Sequence, residues 1–279
     1  MLLCQTGKTV MFREPGCLMM TTHLNIFFDD SSERDEPMPR ITQQAKEANR
    51  RKIIDAASVM FREHGADQVG IDQLMQTAGL TRGGFYNHFD SKEALVAEAC
   101  HRAFDHQLRD LNEFLHNIDA ADPLHALEHL AQRYLSDYHR KNPAVGCPAP
   151  TLGVDAARHT ALTQRQYADG VEEYLRTIIE LLSSGLHLAK EPPSSDDPSE
   201  TRDDSELDAR CSLTPQQLRA RAVETFILLV GGMVVARAVD EADPELSDEF
   251  LNGARDMIAG IIARPVSQSP RNTLDRVPR

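Results

Sequence analysis

From Gln43 onward the apolar residues recur at helical spacing, and no stretch alternates with the two-residue period of a strand ladder. Ile53, Ala57 and Phe61, with Ile54 and Met60 beside them, mark one face of a first helix, and Gly65 stops it. Ile71, Leu74, Met75 and Ala78 predict a short second helix that ends at Gly79. Thr81, a residue type suited to N-capping, opens a third that runs to about His88, with Phe85 and Phe89 as its apolar pair. Asp90 or Ser91 then caps a long fourth helix, along which Leu95, Ala99, Ala103, Leu108, Leu111 and Leu115 approximate one face. Further helices are predicted over Pro123–Arg140, about Thr151–Arg158 and about Thr160–Leu188. Thr214 followed by Pro215 is a cap with proline at the first helical position, opening a helix to Asp240, and another runs from about Pro244 to Ala263 before Pro265. The expected fold is all-α, with an N-terminal three-helix helix-turn-helix domain followed by a helical C-terminal domain.

The same pattern divides the chain. Residues 1–40 are expected to be a disordered tail or an overextended start, with the working initiator at Met38. Residues 41–92 are expected to form the helix-turn-helix domain and 93–264 the helical body, within which the polar, acidic stretch 190–213 is an insert expected to be disordered. A second tail covers 265–279.

Charge sharpens the picture. The chain is acidic, with a formal net charge of −13, which argues against coating nucleic acid along the whole surface. Basic residues nevertheless cluster at one edge: Arg40, Lys46, Arg50, Arg51 and Lys52 stand against the single acid Glu47, whereas the acid excess lies notably between Glu191 and Asp208. A basic edge on an acidic body suits a site-specific DNA binder. The cysteines, Cys4, Cys17, Cys100, Cys147 and Cys211, form neither a CxxC pair nor a zinc-spaced cluster, so reduced thiols and no metal or cofactor are expected. No secretory signal precedes the first apolar pieces, and the longest apolar run, Phe226–Ala236, is too short to span a bilayer; a soluble, cytoplasmic protein with no membrane partner is expected.

Three short helices with Gly79 in the tight turn make a helix-turn-helix layout. The letters go further. Residues 71–95, IDQLMQTAGLTRGGFYNHFDSKEAL, closely resemble the DNA-binding signature of the TetR family of helix-turn-helix regulators, and the approach NRRKIIDAASVMFREHG resembles that family's first helix. Thr81 and Arg82 present a hydroxyl and a guanidinium to a major groove about 12 Å wide, and arginine reads guanine bidentately. Gly83 and Gly84 remove bulk, so backbone can approach DNA; Tyr86, Asn87 and His88 carry hydrogen-bonding tips. The resemblance implies that Tyr86 and Lys92 hold phosphates, and Arg50 and Arg51 complete the expected DNA-facing set. Gly70 departs from the family, which usually places Ser or Thr just before Ile71, so the corresponding side-chain phosphate contact is absent.

The resemblance also implies operator DNA, a small effector of unknown identity and a homodimer, with repression as the default outcome and effector-driven release from DNA. Leu218, Val223, Phe226, Ile227, Val230, Met233 and Val234 make helix 215–240 apolar nearly all round, and Gly231-Gly232 would admit another helix closely. A four-helix dimer seam built with helix 244–263 is expected. His125, His129, Tyr134, Tyr138, Tyr167 and Tyr174 bring polar tips to the expected effector pocket. Cys147 lies between a glycine and a proline just before a helix, where a thiol can have a lowered pKa and sense oxidants or electrophiles; the plainer reading is a small residue in a tight turn. Two further classes, a thiol enzyme pairing Cys147 with a histidine and a helical adaptor that has lost DNA binding, have little behind them: the first has no local catalytic signature, the second only the missing hydroxyl at position 70.

Overall fold

A computed structural model describes residues 42–118, 123–188 and 213–264, all within one compact unit, Ile41–Arg279. The tails expected over 1–40 and 265–279, and all of the expected insert except Leu213, lie outside the described residues.

Among the described residues every regular element is helical. α1 (Gln43–His64) starts where the Thr42 hydroxyl accepts from the amide of Ala45, and ends at Gly65, whose φ of 82° is the left-handed backbone that glycine tolerates. α2 (Ile71–Thr77) leads into the turn at Gly79, φ 70°, where the Leu80 amide returns to the carbonyl of Met75. A two-turn element follows over Arg82–Asn87 and is 3₁₀, where an α-helix was expected; Thr81 has the extended backbone of a cap but its hydroxyl caps nothing. Two adjacent glycines, each about 1 kcal/mol poorer than alanine in an α-helix, fit this short tight winding. α3 (Lys92–His116) is capped by Ser91, whose hydroxyl accepts from Ala94.

The helix expected over Pro123–Arg140 breaks in two, α4 (Pro123–Tyr134) and α5 (Asp137–Lys141). Ser136 makes the break by accepting from the His139 amide, which starts a new helix and turns His139 and Arg140 into the protein. Arg140 then reaches Asp137 at 2.6 Å, Asp248 at 2.8 Å and Asp240 at 3.1 Å, tying α5 to the last two helices. α6 (Ala149–Arg158) and α7 (Ala161–Leu188) follow. α8 (Pro215–Val239) opens with a full capping box between Thr214 and Gln217, and α9 (Pro244–Ala263) is capped by Asp243.

One apolar core runs through the whole unit. At the N-terminal end it comprises Phe61, Leu74, Met75, Phe85, Phe89 and Leu95; in the body Leu127, Leu135, Ile178, Leu182, Leu229, Met233 and Ile258 continue it. α7 lies centrally, packed on α3, α4, α6 and α8, while α8 and α9 pack extensively on each other. Gly232 does admit a helix closely, but that helix is α9 of the same chain: a β-carbon there would crowd Ala254. Gly231 faces open space.

The apolar residues of α8 divide by direction. Met233 and Leu229 are buried, and Leu218, Phe226 and Val230 pack partly on the core, but Val223, Ile227 and Val234 point outward. Leu246, Phe250 and Met257 of α9 are exposed in the same way. By length and composition α8, at 25 residues, would suffice to cross a bilayer, which the shorter run Phe226–Ala236 did not suggest; its inner face carries buried Arg221 and Thr225.

Candidate nucleic-acid interface and internal cavity

The recognition element stands on two rings. Phe85 and Phe89 are buried and stacked, with centroids 5.6 Å apart, in the core with Phe61 and Leu74. Anchoring that side leaves Thr81, Arg82, Gly83, Tyr86 and Asn87 exposed on the other, with Tyr86 at 70%. A β-carbon on Gly83 would meet nothing within 4 Å, so the backbone there is open to a close partner. Arg82 is held 2.8 Å from Asp72, an exposed pair of small net worth that a phosphate or base edge can replace.

Other members of the expected set have different surroundings. Arg51 is exposed and only loosely near Glu47, at 3.9 Å. Arg50, by contrast, sits 2.5 Å from Glu98 and 4.7 Å above the Phe89 ring, where it braces α1 against the recognition element. His88 is half-buried with its Nδ1 unpartnered; burial, then the nearby Lys46 and Arg50, hold its pKa below the usual histidine value. The Lys92 ammonium lies 3.4 Å from the carbonyl of Asp67, beside the α1–α2 loop.

Three contacts that the sequence did not signal tie this head to the body. The Arg62 guanidinium, buried, donates through Nε to the Ser58 carbonyl at 2.8 Å and through Nη1 to the Gly146 carbonyl at 3.0 Å. Asp155 of α6 accepts from the Ala66 amide at 2.7 Å, next to the stop at Gly65. His159, just after α6, meets Glu93 at 3.0 Å and Asp67 at 3.7 Å.

Where α3, α4, α5 and α7 meet lies a cavity of about 70 Å³. Of the residues expected to bind an effector, Tyr134, Tyr138 and Tyr174 line it, and Cys147 lies directly behind, faced by the hydroxyls of Tyr134 and Tyr174. Gln107, Arg133 and His139 line it too, and sequence reasoning missed them. His125 and His129 are exposed, and the Tyr167 hydroxyl donates to the Ala149 carbonyl at 3.0 Å beside the Phe104 ring; none of these three borders the cavity.

His139 orders this wall. Its Nε2 accepts from the Cys147 amide at 2.9 Å, so Nδ1 carries the proton and donates to the Tyr134 carbonyl at 2.6 Å. Burial pushes its pKa down to about 4, in keeping with a neutral ring fixed in one tautomer. A β-carbon at Gly146 would collide with that ring, so only glycine fits there. Burial pushes the Cys147 thiol pKa up, against the lowering expected near a helix N-terminus. Among the described residues, no group of three or more His, Cys, Asp or Glu could hold a metal ion.

A basic-edged helix-turn-helix with an exposed recognition element is thus mounted on an all-helical body with an internal cavity, the layout of a helix-turn-helix head carried by a helical domain. Residues 53–99 match the model of bacterial regulatory proteins of the TetR family. An HTH-type transcriptional repressor of Mycobacterium tuberculosis is 38% identical over 58 residues, 21% of this chain and 31% of that protein. The chain matches only about a third to a half of the length of such curated relatives. The fold extends further: a TetR-family regulator from Cytophaga hutchinsonii superposes with a TM-score of 0.59 at 18% identity, over 78% of this chain and 97% of that one. The Bacillus subtilis regulator FadR in complex with stearoyl-CoA does so with a TM-score of 0.52 at 12% identity, over 76% and 97%.

Proposed function

We propose that this protein is a transcriptional repressor that binds an operator as a homodimer and releases it when a small effector occupies the body. The observation that carries the reading is the recognition element itself: buried Phe85 and Phe89 hold one face, and Arg82, Tyr86 and Asn87 are exposed on the other beside an unobstructed Gly83. Thr81 and Arg82 address base edges, Tyr86 and Lys92 phosphates, and Arg51 the flanking backbone. Arg50, paired with Glu98, supports the head from behind and reaches DNA only by giving up that pair.

The outward stripe of Val223, Ile227 and Val234, with Phe250 and Met257 beside it, supports a two-fold seam of α8 and α9. The cavity, and a structural neighbour solved in complex with stearoyl-CoA, support the effector role of α3–α7. Acting on chromosomal DNA places the protein in the cytoplasm. Selection from a random DNA pool tests the reading: the expected product is an inverted repeat with half-sites about one helical turn or somewhat more apart. A pool that shows no enrichment overturns it.

A further inference from the structure

We propose that the cavity beside Cys147 takes the carboxylate head of a small organic acid, with Tyr134 and Arg133 as its contacts and the apolar remainder passing out between Tyr138 and Val145. This rests on the effector reading above and adds the charge and size of the ligand.

The first support is charge. The chain carries 43 acidic residues against 30 Lys and Arg, yet no carboxylate lines this cavity. Arg133 lines it, and two more guanidiniums lie behind its wall; none of the three has an acid in ion-pair reach. Arg62 donates to the carbonyls of Ser58 and Gly146. Arg237 donates to those of Arg140 and His139, and its Nη1 is buried with no partner. Arg133, at the rim, is stacked 4.5 Å from the Phe114 ring. The acids that act on this set from farther off are Glu63 and Asp110, and Asp110 is engaged by His106 at 3.1 Å. Nearby Arg140, by contrast, has three carboxylates within 3.1 Å, so the body pairs its arginines where no ligand is needed. Buried cationic groups left to carbonyl oxygens remain undercompensated, and an anion between them offsets that cost.

The second support is unspent hydrogen bonding. The Tyr134 hydroxyl is buried and completes no hydrogen bond, although it faces the cavity and the Cys147 thiol. The side-chain oxygen of Gln107, also on the wall, is buried without a partner. A neutral phenol donates well to a carboxylate, and the neutral His139 ring behind it has both nitrogens already committed.

Size narrows the class. At about 70 Å³ the space is half of the roughly 150 Å³ that admits benzene in an apolar protein cavity, so it holds a head of a few heavy atoms. Anything longer must leave past Tyr138 and Val145, which are 69% and 54% exposed at the rim.

Equilibrium dialysis of the full chain, at ionic strength held constant with chloride, tests this with acetate, butyrate and benzoate against acetamide, butyramide and benzamide. At least one carboxylate should bind about tenfold or more tighter than its amide, and Tyr134→Phe and Arg133→Gln should each weaken it by about three- to tenfold. Equal binding of acid and amide, no binding of any acid, or full affinity in both variants overturns the proposal. The DNA selection uses no ligand, so the regulator reading survives or falls independently of these outcomes.

Discussion

Ile227→Asp probes the seam of α8 and α9 most directly. Ile227 is 61% exposed in the single chain, on the outward stripe with Val223 and Val234. Complete burial of an isoleucine side chain contributes about 1.5–3 kcal/mol, so covering that exposed part is worth about 1–2 kcal/mol per copy. A two-fold seam counts it twice, and each introduced carboxylate adds a desolvation cost of at least about 1 kcal/mol. The dimer should therefore weaken by about 4 kcal/mol or more, on the order of a thousandfold in dissociation constant. The monomer should be spared, because a substitution at an exposed site usually moves stability by no more than about 0.5 kcal/mol. Val230, the residue at the centre of the apolar run, is a poorer probe: it packs partly on the chain's own core, so a charge there damages the fold as well. Sedimentation velocity over a concentration series reads the result, with Val154→Asp on α6, also about 60% exposed, as the control. If Ile227→Asp and Val154→Asp sediment alike as dimers, α8 is not the seam.

The head, the cavity wall and the thiol each give a further test. Arg82→Ala should cost about 1–3 kcal/mol on the best operator and relax one base position in each half-site, while Lys92→Ala should weaken every sequence and shallow the salt dependence by about one unit of slope; equal loss on all sequences with Arg82→Ala would assign Arg82 to a phosphate. Gly70 has the extended backbone of an N-cap, no capping side chain and free space at its β-position, so Gly70→Ser should stabilise α2 by a few tenths of a kcal/mol and tighten binding to DNA of any sequence; unchanged affinity would show that no phosphate comes near. His139 is held at about 4 in the folded chain against 6.5 for an unperturbed ring, so the unfolded chain takes up the proton first and stability falls as pH drops through that window, by at most about 3 kcal/mol; urea midpoints should show a slope there that His139→Gln lacks. Peptide mapping after brief treatment of the native protein with iodoacetamide should find Cys147 unmodified, and modification without unfolding would revive the thiol-sensor reading.

Local chemistry made the head and the helix order legible. Caps at Ser91 and Thr214, left-handed glycines at positions 65 and 79, and the 3.6-residue spacing of Ile53, Ala57 and Phe61 each act within a turn or two of their own position. The break at Ser136 was hidden because apolar spacing runs on across it, and a serine in a helical pattern is ambiguous until its neighbours turn inward. The cavity wall was half legible. Tyr134, Tyr138 and Tyr174 stood out as polar tips on apolar helices, but on the same ground so did His125, His129 and Tyr167, which face elsewhere. Periodicity says that a helix has an inner face; it does not say which of its turns borders a void. Nothing in the sequence marks Arg62, Arg237 and His159, because their partners lie 84, 97 or 98, and 66 or 92 residues away, beyond any local pattern.

Gly146 is where cavity and head share a piece of backbone. It borders the void, its carbonyl accepts from Arg62 of α1, and the next amide is held by His139 of the cavity wall. Drug-sized ligands occupy pockets of about 300 Å³ or more, so a ligand with any bulk beyond its head must push the Tyr138–Gly146 rim outward. Close packing leaves that rim no soft direction: Gly146 already touches the His139 ring, and α6 begins three residues on. A shift of Gly146 would loosen Arg62 and press on α6, and α6 leads to Asp155 and His159, which hold the Ala66–Asp67 loop and the first turn of α3. That loop leads into α2, and the first turn of α3 follows the recognition element directly. A ligand changes DNA affinity only by its unequal affinity for the two arrangements, and here the inequality follows from size: a head that fits about 70 Å³ without moving Gly146 leaves the head of the protein where it is, whereas one with a tail at the rim cannot.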